Sequence, residues 1–194
     1  MGKLYFRHGA MNSGKSTALL QVAFNYEERG QRVLIAKPSI DTKGDNQIVS
    51  RLGVVRDVDF VSLPNQNLRE QVADFSRHEK VDCLLIDEAQ FLTPQQVDQA
   101  MQIAILDGIP VLAYGIRTDF LTHGFPGSIR LLEIAHSLEE LKTICRCGRK
   151  AMFNARLKNG KFIFDGDQVA IDGDEVTYES LCVNCYYRET GQSK

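Results

Sequence analysis

Residues Gly9-Ala10-Met11-Asn12-Ser13-Gly14-Lys15-Ser16 fit the pattern G-x-x-x-x-G-K-[ST]. Glycines at both ends let the backbone curl so that consecutive N–H groups face one concavity, and a helix starting near Lys15 adds its positive dipole end there. The ligand suited to such a cradle is a polyphosphate. Lys15 has the reach to bridge β- and γ-phosphates, and the Ser16 hydroxyl suits a magnesium ion. ATP with Mg2+ is the implied pair.

A second constellation is Cys83-Leu84-Leu85-Ile86-Asp87-Glu88-Ala89-Gln90-Phe91, an apolar run ending in two carboxylates. At the carboxyl end of a parallel strand, Asp87 would hold the metal and Glu88 would face the γ-phosphate. Glu88 is the candidate general base, since taking a proton from an attacking hydroxyl needs a carboxylate within one hydrogen bond, preferably partly desolvated. In P-loop ATPases the same pair orients water, so it does not by itself choose between an alcohol and water as acceptor. A third constellation is Cys145-x-Cys147 with Cys182-x-x-Cys185. Four thiolates suit a tetrahedral structural Zn2+, although the first arm is one residue shorter than the common spacing. Cys83, inside its apolar run, reads as core.

The elements that must position these groups follow a βαβ pattern. Leu4–His8 reads as a strand, Lys15–Arg29 as a helix with Leu19, Val22, Ala23 and Tyr26 on one face, and Val33–Ala36 as the next strand. Residues 38–57 show no period and are expected to form a mobile surface loop. Leu68, Val72 and Phe75 mark a helix, and Cys83–Ile86 reads as a strand buried on both faces. Thr93-Pro94-Gln95-Gln96 starts a further helix with an N-cap, Pro at N1 and Gln at N3; Val97, Met101, Ala104 and Ile105 form its buried face. Val111–Tyr114 is another strand. Beyond Leu141, Lys158-Asn159-Gly160-Lys161 signals a type I′ hairpin with no amphipathic helix after it. The expected architecture is α/β: a RecA-like P-loop domain over 1–140 with a mostly parallel sheet, and a small zinc-binding β domain over 141–194.

A 194-residue chain with 43% hydrophobic residues supplies one full core and a small appendage. The net charge of −2 gives no overall reason to bind nucleic acid. The N-terminus lacks the apolar core of a secretory signal, and no apolar run approaches bilayer length, so a cytoplasmic protein with no membrane partner is expected.

Together with Ser50-Arg51-Leu52-Gly53, Tyr114-Gly115-Ile116-Arg117-Thr118-Asp119-Phe120 and Phe125-Pro126-Gly127-Ser128, these motifs resemble the zinc-containing thymidine kinase family of bacteria and animals over nearly the whole chain. The resemblance implies transfer of the ATP γ-phosphate to the 5′-hydroxyl of thymidine, with Glu88 as base and Asp87 and Ser16 serving magnesium. It places Met11, Phe91, Ile116, Phe120 and Phe125 around the thymine ring and Gln90 near the sugar and phosphates. It also makes 149–181 a lasso whose Val169, Ile171 and Gly173, with Tyr178 near the far end, meet the base. Asp172 stands where the family often has glycine. A homotetramer and feedback by thymidine triphosphate are implied as well.

Two other readings use the same residues. A P-loop ATPase with a zinc module gripping nucleic acid is motivated by Arg146, Arg149, Lys150, Arg156, Lys158 and Lys161 around the hairpin. A non-catalytic nucleotide sensor is the other; the intact set of Lys15, Ser16, Asp87 and Glu88 speaks against it, since binding alone needs no positioned base.

Overall fold

The protein is described from a computed structural model covering residues 2–39, 46–50, 53–168 and 176–191. The chain begins with β1 (Leu4–His8), α1 (Lys15–Glu27), β2 (Val33–Pro38), β3 (Gln47–Val49), β4 (Val55–Asp57), β5 (Phe60–Ser62) and α2 (Leu68–Ser76). Then come β6 (Cys83–Ile86), α3 (Pro94–Ile105), β7 (Val111–Gly115), α4 (Pro126–Ile134) and β8 (Ser137–Glu140). It closes with β9 (Phe153–Lys158), β10 (Lys161–Ile163), β11 (Val176–Leu181) and α5 (Val183–Glu189).

A six-stranded sheet in the order β5-β2-β6-β7-β1-β8 is parallel at every pairing. Strand β7 therefore separates the strand that feeds the glycine-rich loop from the strand that ends in the acidic pair, in keeping with a RecA-like α/β domain. The runs are continuously apolar because alternate residues serve two different cores. Leu4, Phe6, Leu34, Ala36, Leu84, Ile86, Val111 and Ala113 pack under α2, α3 and α4. Val33, Ile35, Cys83, Leu85, Leu112 and Tyr114 pack on the opposite side with Leu19 and Ala23 of α1 and Ile48 of β3. A truncation such as Leu85→Ala at this fully buried position would cost about 2–5 kcal/mol.

The helix starts obey local rules. Thr93 caps α3 through a complete capping box with Gln96, and Asn67 caps α2 by accepting from the N–H groups of Arg69 and Glu70. The buried stripe of α3 is Val97, Ala100, Ile103 and Ala104, so Met101 and Ile105 lie at its margin instead of its centre.

The structure departs from these expectations in three places. The described part of 38–57 holds an antiparallel β3–β4 hairpin, with Ile48 buried and Arg56 paired to Glu27 of α1 at 2.5 and 2.8 Å. Two three-residue strands with one buried residue between them carry too little pattern to read as strand. Short edge strands β5 and β8 and helix α4 also add to the expected set. Finally, α5 follows the C-terminal strands, its first turn fastened by Cys182, whose sulfur accepts from the Cys185 N–H at 3.4 Å.

A second sheet, β10-β9-β11, is antiparallel. Asn159 and Gly160 both take positive φ (51° and 73°), the type I′ geometry expected of this turn. The sheet has its own core of Ala151, Ala155, Leu181, Tyr186 and three of the clustered cysteines, against which Phe153, Phe162 and Phe164 pack.

Candidate active site

Because the six strands are parallel, the carboxyl ends of β1, β2, β6 and β7 lie along one edge, where their loops converge. After β1 the chain turns through Gly9, which has no room for a side chain: a Cβ there would sit 2.3 Å from the Leu141 carbonyl oxygen. Asn12 and Gly14 take left-handed backbone conformations (φ 66° and 78°), and α1 starts at Lys15 directly after them. The Lys15 ammonium donates to the Ala10 carbonyl at 2.9 Å and lies 3.4 Å from both the Gly9 carbonyl and the Ser13 hydroxyl. Gly9, Ala10, Met11, Asn12, Ser13, Gly14, Lys15 and Ser16 thus form one curled loop on a helix N-terminus, as a phosphate cradle requires.

At the end of β6, Asp87 is 6% exposed. Burial, with the neighbouring Glu88 carboxylate second, pushes its carboxyl up to about 6; Lys37 and Lys15 pull the other way. A cation placed there would oppose that desolvation, which suits Asp87 to a metal. Glu88 takes a left-handed conformation (φ 51°) and leads into a single 3-10 turn over Ala89–Phe91. Gln90, 2% exposed, donates from Nε2 to Glu88 Oε2 at 2.5 Å and accepts the Ile116 N–H at 3.3 Å. Gln90 therefore touches Glu88 directly and ties it to the end of β7.

Two cavities meet here. An open trough of about 1000 Å³ is lined by Asn12, Gly14, Lys15, Ser16 and Thr17, with Val176 and Thr177 across from them. A second cavity of about 300 Å³ is walled by Phe91, Ile116, Phe120 and Phe125. Met11, Glu88, Ile116 and Tyr178 border both. Phe91 and Phe125 meet edge-to-face at 5.5 Å and 85°. All five residues expected around a ring, Met11, Phe91, Ile116, Phe120 and Phe125, are brought together in one cavity, and Tyr178 joins them. Val169, Ile171 and Gly173, like Arg51 and Asp172, lie outside the described residues. The described residues on either side of that stretch are at the site: Gln168 lines the smaller cavity and Val176 the trough.

The sulfurs of Cys145, Cys147, Cys182 and Cys185 lie within 4.8 Å of one another, and none is in a disulfide. Tetrahedral bonds of about 2.3 Å put sulfurs roughly 3.8 Å apart, so the cluster has the size and donor set for zinc. The short Cys145-x-Cys147 arm suffices because the Gly148 N–H closes a tight turn on the Cys145 carbonyl at 2.8 Å.

The thymidine kinase family model matches residues 2–186. The thymidine kinase of Idiomarina loihiensis is 50% identical over 185 residues, covering 94% of this chain and 94% of the relative. That of Mannheimia succiniciproducens is 46% identical, covering 99% and 98%, and that of Colwellia psychrerythraea 50% identical, covering 94% and 95%. The chain belongs to the thymidine kinase family.

Within a thymidine kinase the cavity residues that sequence reasoning passed over gain interest. Lys37, Thr118, Asp119, Asn154 and Gln168 all line the smaller cavity. Asp119 is 5% exposed and receives the Leu121 and His123 N–H groups on one oxygen and the Gln168 amide on the other at 3.1 Å. Thr118 and Asp119 stand inside a quoted motif and were legible in principle; Lys37, Asn154 and Gln168 carry no local signal.

Arg156 changes meaning altogether. Expected as part of a basic surface, it is 4% exposed, with its guanidinium 3.7 Å from the centre of the Phe120 ring. It donates to the Tyr178 hydroxyl at 3.0 Å and to the Asp167 and Gln168 carbonyls at 2.8 and 3.1 Å. Of its supposed companions, Arg146 pairs with Glu179 and Glu189, and Lys150 with Glu140. Arg146 and Lys150 remain on the surface, as do Arg149, Lys158 and Lys161, so Arg156 alone of the six is withdrawn from the basic cluster. No helix among the described residues is long and apolar enough to cross a membrane.

Proposed function

We propose that this chain is an ATP:thymidine 5′-phosphotransferase that produces thymidine monophosphate and ADP for pyrimidine deoxynucleoside salvage and DNA precursor synthesis. The observation that carries the reading is the position of Glu88, a carboxylate on the shared border of a cradle-lined trough and an aromatic cavity. The cavity suits a flat, largely apolar ring with a few polar edges, and the trough suits a triphosphate. The sugar alcohol would then lie between them at Glu88.

In this reading Glu88 accepts the 5′-hydroxyl proton as the oxygen attacks in line, and Gln90 holds the carboxylate in place. Lys15 exchanges the Ala10 carbonyl for phosphate oxygens and balances their charge. Ser16 and Asp87 would hold the magnesium ion, which supplies charge neutralisation for the phosphoryl group in transfer. The side chains of Met11, Phe91, Ile116, Phe120 and Phe125 orient the base and exclude water. Residues 1–140 would carry the phosphate chemistry, and 141–194, pinned by zinc on the four cysteines, would supply the lid. The positions of Gln168 and Val176, which flank 169–175 and border the site, support this. A cytoplasmic homo-oligomer restrained by thymidine triphosphate completes the reading by family likeness.

The test incubates zinc-loaded protein with Mg·ATP and each nucleoside in turn and separates products chromatographically. Thymidine monophosphate is the expected product. ATP hydrolysis without any nucleoside product would instead support the ATPase reading.

A further inference from the structure

Met11 is the point at which the zinc-side sheet grips the phosphate-binding loop. Its backbone N–H donates to Asn154 Oδ1 at 2.7 Å, and its carbonyl accepts a short hydrogen bond from the Ser180 hydroxyl. Asn154 and Ser180 stand directly opposite each other on β9 and β11, so both side chains leave one face of that sheet together. Both are buried, at 3% and 7% exposure. The next residue, Asn12, adopts the left-handed conformation that starts the curl of the loop. With its N–H and its carbonyl both bonded, Met11 has the peptide planes on either side of it fixed, and the second of these leads directly into the left-handed turn at Asn12.

We propose that Asn154 and Ser180 are positioning residues for ATP: their paired grip on Met11 holds the loop in its phosphate-binding shape before nucleotide arrives. The second sheet then sets affinity for the phosphoryl donor as well as covering the acceptor. This inference rests on the reading of 9–16 as the phosphate site. Ser180 is the cleaner probe, because Asn154 also lines the smaller cavity and Ser180 does not.

The experiment measures ATP affinity of zinc-loaded protein without thymidine, and thymidine affinity separately. Ser180→Ala is expected to weaken ATP binding by roughly three- to tenfold, about what one buried hydrogen bond is worth, with thymidine affinity changed less than about twofold. Ser180→Thr, which keeps the hydroxyl, is expected to restore ATP binding. Should Ser180→Ala fail to fold, amide exchange on the unliganded wild type replaces it: the Met11 N–H is expected to be protected. Unchanged ATP affinity in Ser180→Ala, equal loss of both affinities, or rapid Met11 exchange would overturn the inference. Lys15→Ala separates the two levels. If it loses ATP while Ser180→Ala does not, only the grip is wrong; if Lys15→Ala binds ATP normally, the phosphate-site reading falls and takes the grip with it.

Discussion

Gln90 reaches back two residues to donate to the Glu88 carboxylate at 2.5 Å while its amide oxygen accepts the Ile116 N–H, so one buried side chain joins the ends of β6 and β7. A carboxylate oriented this way spends little time in unproductive rotamers. Glu88→Gln is expected to lower kcat about a hundredfold to ten-thousandfold while ATP binding stays near normal. Near-normal turnover would remove Glu88 as the base.

Gln90→Leu keeps the volume but frees the Glu88 carboxylate and leaves the Ile116 N–H unpaired. The expected outcome is a fall in kcat of about tenfold or more with KM for ATP nearly constant. A change confined to KM would show that Gln90 binds a substrate and does not orient the base.

Arg156 links the Phe120 ring, the Tyr178 hydroxyl and the carbonyls of Asp167 and Gln168. Lysine carries the charge but not the planar fork, so Arg156→Lys loses the stack and most of the contacts. KM for thymidine is expected to rise about tenfold, the effect of losing one to two kcal/mol. KM for ATP should move far less. Steady-state kinetics with each substrate varied in turn decides this, and an equal rise in both constants would contradict it.

Zinc should bind once per chain. Cys182→Ser, or prolonged chelation, is expected to release the metal and with it amide protection across β9, β10 and β11, while the six-stranded sheet keeps its protection. Metal analysis paired with hydrogen exchange reads both effects. Retention of full protection in β9–β11 after metal loss would mean that the aromatic cluster around Tyr186 suffices.

Acid should loosen the β3–β4 hairpin. Its Arg56 bond holds the Glu27 carboxyl below the ordinary carboxylate value, so the pair stabilises the fold above the unfolded-state value and that contribution disappears as pH falls through the lower folded-state value. Both side chains are about a third exposed, so solvent screening keeps the effect within about 1 kcal/mol. Denaturation midpoints of wild type and Glu27→Gln are expected to differ near neutrality and converge in acid. A gap that widens in acid would reverse the assignment.

The loop 9–16, the Asp87-Glu88 pair and the cysteine cluster were legible because each draws its chemistry from a few neighbouring residues at fixed spacing. The strands β1, β2, β6 and β7 were legible for a related reason: sheets covered on both faces need continuous apolar runs. The strands β5 and β8 and the β3–β4 hairpin were not, since segments of three or four residues with at most one buried position each hold no more than two periods of pattern.

The sequence by itself determined that a glycine-rich loop, an acidic strand end and a four-cysteine cluster occur in one α/β chain. Only the tertiary structure decided which side chains close around them. Met11 meets Asn154 across 143 positions, Phe120 receives Arg156 on its face, and Gln168 reaches Asp119. Such contacts depend on where two sheets come to rest against each other, and residue type at either position carries no trace of that distance.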